Sequence, residues 1–310
     1  MIVCHTKNMA SKKIQLPVLN NSVEQTTINF NDLLSGKSIS VNSSDIILNE
    51  KRTHDKESVS YSEIVTHMEC SYRHYLKYIE KIELDEPTEH TEFGQVIHKI
   101  LETYLKERKM LSVDEAKIQL TEAFSKLKNF ESLQEKDWHD SIEPILKDAA
   151  KFLDEKFPGW VFVDSEAELY EPIEGTNKKF KGYIDAIIKT PKKRGQGWNY
   201  HILDWKTTSW GWKPEKKTDF KKIIQLAFYK IFWSNKTNIP LKDIKTAFIL
   251  LKRNVKKEHC ELVPVYVGKK TIEKAMEALY FFLASIKQNL TRKNRDVCDY
   301  CVYYKTPHCQ

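Results

Sequence analysis

The stretch HILDWKTT, residues 201–208, sets an acid, an aromatic and a base in succession behind two apolar residues. In a strand alternate side chains share a face, so Asp204 and Lys206 point one way and Trp205 points the other, into packing. Burying an unpaired charge is costly, so both ions need a partner. Either they pair locally with no chemistry, or they are part of a site. A second acid, Asp185, stands in KGYIDAII, near the end of a strand able to pair beside Asp204. Gly182, just before it, removes a side chain where another group can pass close. Two carboxylates at neighbouring strand ends make a hard, oxygen-rich site suited to Mg²⁺ or Mn²⁺. A lysine beside them can orient a water and offset the charge that develops on attack at phosphorus. Those are the parts of metal-assisted phosphodiester cleavage.

Other residues join this set by spacing. His98 lies in the helical stretch FGQVIHKILE, where a histidine in an apolar stripe is ordinarily a core residue. Gly94 shares its helix face, however, and would let that face approach a neighbouring backbone and hold His98 over the carboxylates. Gln225 and Tyr229 share a helix face in IIQLAFYK, either as amphipathic surface or as donors to phosphate and catalytic groups. Glu166 and Glu168 share a strand face in DSEAEL. Either can supply a further carboxylate, and Glu166 is favoured.

A separate constellation is made of cysteine. The chain has six: Cys4, Cys70, Cys260, Cys298, Cys301 and Cys309. The tail RDVCDYCVYYKTPHC sets Cys298, Cys301 and Cys309 at C-x2-C-x7-C spacing, which reads as metal binding or redox chemistry rather than disulfides. Three thiolates leave a four-ligand site one short, and Cys70 in HMECSYRHYLKY is the obvious fourth. Zinc is satisfied by four thiolates, with His308 able to substitute for one. Cys4 and Cys260 are left over as incidental or buried thiols.

The elements that must position these residues can be read from periodicity. Residues 1–55 are polar with short apolar runs such as IQLPVL and DIILN, and strands or irregular structure are expected there. From Ser60, a candidate N-cap, a helical run extends through Ile64, Met68, Tyr72 and Leu76 until Pro87. A second helix carries the stripe Phe93, Ile97, Ile100, Leu101 and Tyr104. Two more follow near 113–129 and 139–157, ended by Pro158 and Gly159. The period then shortens. WVFVDSEAELYEP and KFKGYIDAIIKT read as strands joined by a turn at 174–177, and YHILDWKTT is a third strand reached through the basic loop PKKRGQG. A helix over KKIIQLAFYKIFW, strands TAFILLKR and CELVPVYV, and the helix IEKAMEALYFFLASI complete the chain. The expected fold class is α/β (α+β): a small central mixed sheet flanked by helices, with a helical N-terminal part and a cysteine tail.

The ordered series His98, GYID at 182–185, DWK at 204–206 and QxxxY at 225–229 resembles the PD-(D/E)XK nuclease superfamily, in its RecB-like branch with Cas4-like and AddB-like nucleases. The resemblance covers residues 60–310 and implies a restriction-endonuclease-like core. It implies that His98, Asp185, Asp204 and the backbone carbonyl of Trp205 bind the catalytic metal. Lys206 would support the attacking water, while Gln225 and Tyr229 would hold DNA and the lysine. Ile184 stands where the superfamily name has proline, as is normal for this branch. Some nucleases of the branch carry one cysteine before the histidine helix and three after the core. The resemblance therefore assigns Cys70, Cys298, Cys301 and Cys309 to a [4Fe–4S] cluster, with structural Zn²⁺ as the alternative. The longer x7 gap departs from the commoner spacing. The organisation this implies is an extension (1–55), a helical region with Cys70 and His98 (56–160), a nuclease core (161–290) and a cysteine tail (291–310) packing back on the N-terminal helices.

The implied activity is that of a metal-dependent DNA exonuclease acting at ends or on single strands in recombination, repair or replication. A structure-selective endonuclease and a non-catalytic DNA-binding subunit are the alternatives. The formal charge of +7, with acids and bases interleaved, is compatible with DNA but does not select it. KTTSWGWKPEKKTDFKK interleaves Trp210 and Trp212 with lysines, either to stack on bases beside phosphate contacts or as a solvated loop whose tryptophans pack inward. Arg73, His74 and Lys77 near the cysteine site are further candidates for phosphate. The sequence carries no base-reading motif and no phosphate loop of its own, so a helicase or recombination protein is an expected kind of partner. No run of apolar residues is long enough for a membrane span, and the N-terminus has no clean secretion signal. A cytoplasmic location is expected.

Overall fold

The computed structural model describes residues 46–48, 54–128, 130 and 135–310. They fall into two compact units. The smaller comprises described residues up to Leu84, with Pro172–Lys179 and Glu277–Gln310; the larger comprises Asp85–Glu171 and Phe180–Met276. Cys4 and the expectations for IQLPVL lie outside the described residues. Within DIILN, Ile46–Leu48 forms strand β1.

In the smaller unit β1 pairs antiparallel with β8 (Leu290–Arg292). Strand β2 (Ser58–Ser60) leads into helix α1 (Tyr61–Glu69). Ser60 is its N-cap, accepting the Glu63 N–H at 3.3 Å, as its residue type suggests. The helical run does not continue unbroken. Cys70 is extended (φ −157°, ψ 109°) and caps a new short helix, α2 (Ser71–His74), which passes into a π-helical turn over Tyr75–Ile79. The tail meets this segment. The Tyr303 hydroxyl donates to the Ile82 carbonyl at 2.6 Å, and that of Tyr72 to the His308 carbonyl at 3.1 Å. Leu76, Tyr303 and Cys309 bury one another.

The larger unit opens with α3 (Glu89–Glu107), α4 (Val113–Phe124) and α5 (Glu135–Lys156). Thr88 and Thr91 form a reciprocal capping box at the start of α3, just past Pro87. Strands β3 (Val161–Pro172), β4 (Lys179–Pro191) and β5 (Trp198–Thr208) follow. The chain then runs through α6 (Pro214–Lys217), α7 (Phe220–Thr237), β6 (Ile244–Lys252), β7 (Cys260–Val265) and α8 (Lys269–Lys287). Strands β4, β5, β6 and β7 lie side by side in that order, and β3 pairs with β4. The β4–β5 and β6–β7 pairs are antiparallel, whereas β5–β6 is parallel, with Asp204 opposite Phe248. A parallel pair needs a crossover, and α7 supplies it. The result is the expected α/β core, a mixed central sheet flanked by helices, consistent with a restriction-endonuclease-like core.

One core lies between α3, α5 and the sheet. The α3 stripe Phe93, Ile97, Ile100, Leu101 and Tyr104 is buried there, together with Trp138 and Ile142 of α5 and with Leu203, Trp205 and Ile249 of the sheet. Against α7, Phe180 stacks on Phe232 with ring centroids 4.4 Å apart. Trp205 thus points into packing, as strand alternation requires, and is 1% exposed. Its indole N–H is buried without an acceptor. Trp205→Ala is therefore expected to cost about 3–5 kcal/mol by chemical denaturation. Trp205→Phe should cost much less, because it also removes an unsatisfied donor. Equal losses for the two variants would contradict this account of the core.

Candidate active site

Asp204 is fully buried in the middle of β5. Its Oδ1 accepts a hydrogen bond from Gln225 Nε2 at 2.8 Å, and its Oδ2 is in contact with the Lys206 ammonium. The two ions share a strand face, so a neighbour two residues away supplies the partner that burial demands. Gln225 comes from α7, and its amide also donates to the Tyr229 hydroxyl at 3.1 Å. Burial works against the Lys206 charge, but Asp204 and then Asp185 outweigh it and hold the ammonium pKa above its ordinary value.

Asp185 joins them across the sheet: its Oδ2 accepts the Trp205 backbone N–H at 2.8 Å and lies 3.5 Å from His98 Nδ1. Burial, and next the like charge of Asp204, push its pKa well above the ordinary carboxylate range against the opposing pull of Lys206. His98 is pushed down to about 4, chiefly by burial, with Lys206 adding and Asp204 opposing. Its imidazole is therefore neutral at physiological pH, the form that can ligate a metal. A backbone hydrogen bond links it to Trp205, the residue whose carbonyl was the further expected ligand. One neutral imidazole and two carboxylates, one of them fully buried, fit Mn²⁺ or Mg²⁺ in donor type.

The acids do not sit at strand ends. Asp185 and Asp204 lie inside β4 and β5; what ends beside them is the register of the pair, which runs from Pro191↔Trp198 to Ala186↔Leu203. Even positions of β4 also change faces here. Gly182 meets α7, while Ala186 and Ile188 belong to the core under α3 and α5. Both glycines singled out by position serve close approach. A Cβ on Gly94 would stand 3.2 Å from Thr207 Oγ1, and one on Gly182 would stand 3.0 Å from Tyr229 Cε1.

Glu166 is exposed and has left-handed backbone (φ +49°), a kink in β3 that pattern reading does not foresee. Its pKa is raised by partial desolvation, then by Glu102, and by Asp204, so its carboxyl feels the acidic site. Glu168 is occupied by the Tyr183 hydroxyl at 3.1 Å. Glu102 was not anticipated. It is buried on α3 between Lys99 (2.9 Å) and Lys106 (2.6 Å), and an acid with lysines at i−3 and i+4 was its available signal. The two tryptophans of the basic loop separate. Trp210 is 62% exposed, whereas Trp212 is buried on Phe248, with Lys216 and Lys222 over its ring.

In the smaller unit Cys70, Cys298, Cys301 and Cys309 are free thiols. Cys70 Sγ accepts the N–H groups of Arg73 and Asn294, each at 3.4 Å. Burial raises the Cys309 pKa, and Cys70, Cys301 and Cys298 add to the rise, so the four thiols are electrostatic neighbours. Cys260 instead lies in the larger core, its thiol pushed up by burial to about 12. His74 corrects an expectation: it is 2% exposed and bonded to Glu63, and so cannot meet phosphate at the surface. Pattern reading missed what it belongs to. Among the described residues, His54, Glu63 and His74 form the group whose three ligand atoms all lie within 4.8 Å of one another, and this buried cluster could coordinate a metal ion.

A profile of the PD-(D/E)XK nuclease superfamily matches residues 58–306. No curated protein matches the chain. A solved structure named "Crystal structure of SSO0001" aligns at 14% identity over 68% of this chain and 92% of that one; its TM-score of 0.29 carries no weight for the fold. Among the described residues, no helix is long and apolar enough to cross a membrane.

The folded pKa of Asp185 lies above its unfolded value, so between the two the unfolded chain ionises first and stability falls as pH rises. Above the folded pKa the full cost is present. Asp185→Asn keeps an acceptor for the Trp205 N–H and removes the charge. In EDTA at neutral pH it is expected to stabilise the protein by about 0.5–2 kcal/mol and to flatten the dependence of stability on pH, read by thermal unfolding across pH. Destabilisation would show that the Asp185 charge is compensated.

Proposed function

Since the chain belongs to the PD-(D/E)XK nuclease superfamily, whose nuclease-type activity it shares, we propose that it is a metal-dependent deoxyribonuclease acting at DNA ends or on single strands, in recombination, repair or replication. The observation that carries the reading is the pairing of buried Asp204 with the partly exposed Lys206 beside Asp185, with a neutral His98 within reach of that second acid. His98, Asp185, Asp204 and the Trp205 carbonyl would hold Mg²⁺ or Mn²⁺, whose Lewis acidity lowers the pKa of a bound water and polarises a phosphate. Lys206, protonated and tethered to Asp204, orients the attacking water and offsets the negative charge of the transition state. Gln225 fixes the Asp204 carboxylate from the opposite side and connects it to Tyr229, which holds the backbone of the substrate. Glu166 adds a carboxylate at the edge of the site. Exposed Trp210 offers a stacking surface for an unpaired base.

We assign Cys70, Cys298, Cys301 and Cys309 to a [4Fe–4S] cluster with a structural role. Support comes from the two N–H groups aimed at Cys70 Sγ, since hydrogen bonds to sulfur suit a ligating thiolate. Such a cluster would join the α1–α2 junction to the tail, across a separation in sequence that gives any cross-link a long loop to close. A helicase or recombination protein supplying DNA ends is the kind of partner this activity needs.

Anaerobically purified protein incubated with Mg²⁺ or Mn²⁺ should degrade end-labelled linear DNA and leave covalently closed circles intact, and EDTA should stop the reaction. Asp204→Ala and Lys206→Ala should each lower cleavage by about 10²–10³-fold or more while DNA binding persists. Unchanged cleavage in either variant would reject this site, and nicking of closed circles would make the enzyme an endonuclease. The visible absorption spectrum before the assay distinguishes an iron–sulfur centre from colourless zinc.

A further inference from the structure

The buried histidine cluster of the smaller unit involves none of the residues assigned above. His54 comes from the segment before β2, Glu63 from the first turn of α1 and His74 from the end of α2. Glu63 Oε1 lies 2.7 Å from His54 Nε2 and 3.1 Å from His74 Nε2. All three are buried, at 9%, 3% and 2% exposure. Burial alone would raise the Glu63 pKa, but the hydrogen bonds from the two imidazoles outweigh it and bring the carboxyl down to about 2. Burial pushes His74 towards its neutral form despite Glu63. A carboxylate is therefore held among imidazoles in a place where an uncompensated charge is costly.

A second observation is independent of this bonding. His67, one helical turn beyond Glu63 on α1, is 8% exposed, and its Nε2 is buried with no hydrogen-bond partner. Its ring lies edge-on to that of His74, with centroids 5.3 Å apart. His54, His67 and His74 all border one small cavity, closed in part by Tyr75, Asn289 and Thr291. An unpartnered imidazole nitrogen is a cost unless something ligates it.

We propose that His54, Glu63 and His74 bind one divalent ion of the zinc class, with His67 bordering the same cavity but outside the group of mutually close ligand atoms. Two imidazoles and one carboxylate suit a borderline transition metal far better than Mg²⁺, which demands oxygen and retains water. The three ligands are buried and come from three separate segments, so the role of the ion is structural: it ties the segment before β2 to α1 and α2. On binding, His54 and His74 would ligate through Nε2, and each imidazole would move the proton now directed at Glu63 to its own Nδ1. The Lys178 ammonium lies 3.5 Å from His54 Nδ1 and keeps the carbonyls of His54 and Lys56 as acceptors when that nitrogen takes up the proton.

The test uses the full chain. Metal content by mass spectrometry is expected to give one zinc-class ion per chain beyond whatever the cysteines hold. Co²⁺ added to zinc-depleted protein should give the visible bands of a tetrahedral nitrogen–oxygen site without thiolate charge transfer. His54→Ala and the isosteric Glu63→Gln should each lose that ion and those bands, while Cys298→Ser retains them. His54 stands outside any helix, so its variant is the one least able to disrupt folding, and circular dichroism checks that it is folded. A folded wild type that binds no such ion, or bands that persist in both variants, would overturn the assignment. Neither result touches the nuclease reading, which rests on other residues.

Discussion

The carboxyl group of Asp204 is fully buried, and that is tolerable only because two oxygens find two partners. Lys206 is supplied by strand alternation, at no cost in chain topology. Gln225 has to arrive from α7, the crossover between β5 and β6, so the parallel pairing in the sheet is tied to the polar contact at its centre. Trp205, between the two ions, must then face the opposite core, where it packs with the apolar stripe of α3. That packing draws α3 onto the sheet closely enough that a Cβ on Gly94 would press on Thr207 Oγ1 at 3.2 Å, and it sets His98 beside Asp185. One buried ion pair, with the tryptophan that anchors it, therefore constrains the crossover helix, the opposite core and the position of the histidine.

The same crowding explains the electrostatics. Two carboxyls stand close in a poorly hydrated site, and one lysine cannot neutralise both. Asp185 carries the resulting strain as a raised pKa, while Lys206 is held charged and His98 neutral. Like charges held this close with a single counter-charge between them repel each other, and the raised pKa is where that repulsion shows. The two units also differ in their ligand chemistry. The larger gathers oxygen donors around one imidazole; the smaller gathers thiols in one place and imidazoles around a carboxylate in another.

Much of this was legible in the chain. Period-two and helical patterning gave the order of the elements from Ser60 onwards, the Ser60 cap and the buried face of α3. Asp185, Asp204, Lys206, Gln225 and His98 were readable because each obeys a local rule of spacing or alternation. Gly94 and Gly182 were readable because only close approach gives a glycine a purpose there. Less legible were features that depend on where a strand kinks or a helix stops. The left-handed backbone at Glu166 leaves no mark in the alternation of DSEAEL, and the break at Cys70 interrupts a run whose apolar spacing continues across it.

The sequence by itself determined which residues can do chemistry and which face of each element they occupy, because those follow from residue type and a repeat of two or 3.6 residues. Only the tertiary structure decided their company. It separated Trp210 from Trp212, gave Glu168 to Tyr183, and ended the β4–β5 register at the two acids rather than the strands themselves. It also took His74 out of a basic, aromatic stretch that reads as surface and buried it against Glu63 with His54. The physical reason is that burial is a property of the packed chain. A histidine facing water and a histidine facing a buried carboxylate have the same local sequence signature, and they differ only in what the rest of the fold brings to them.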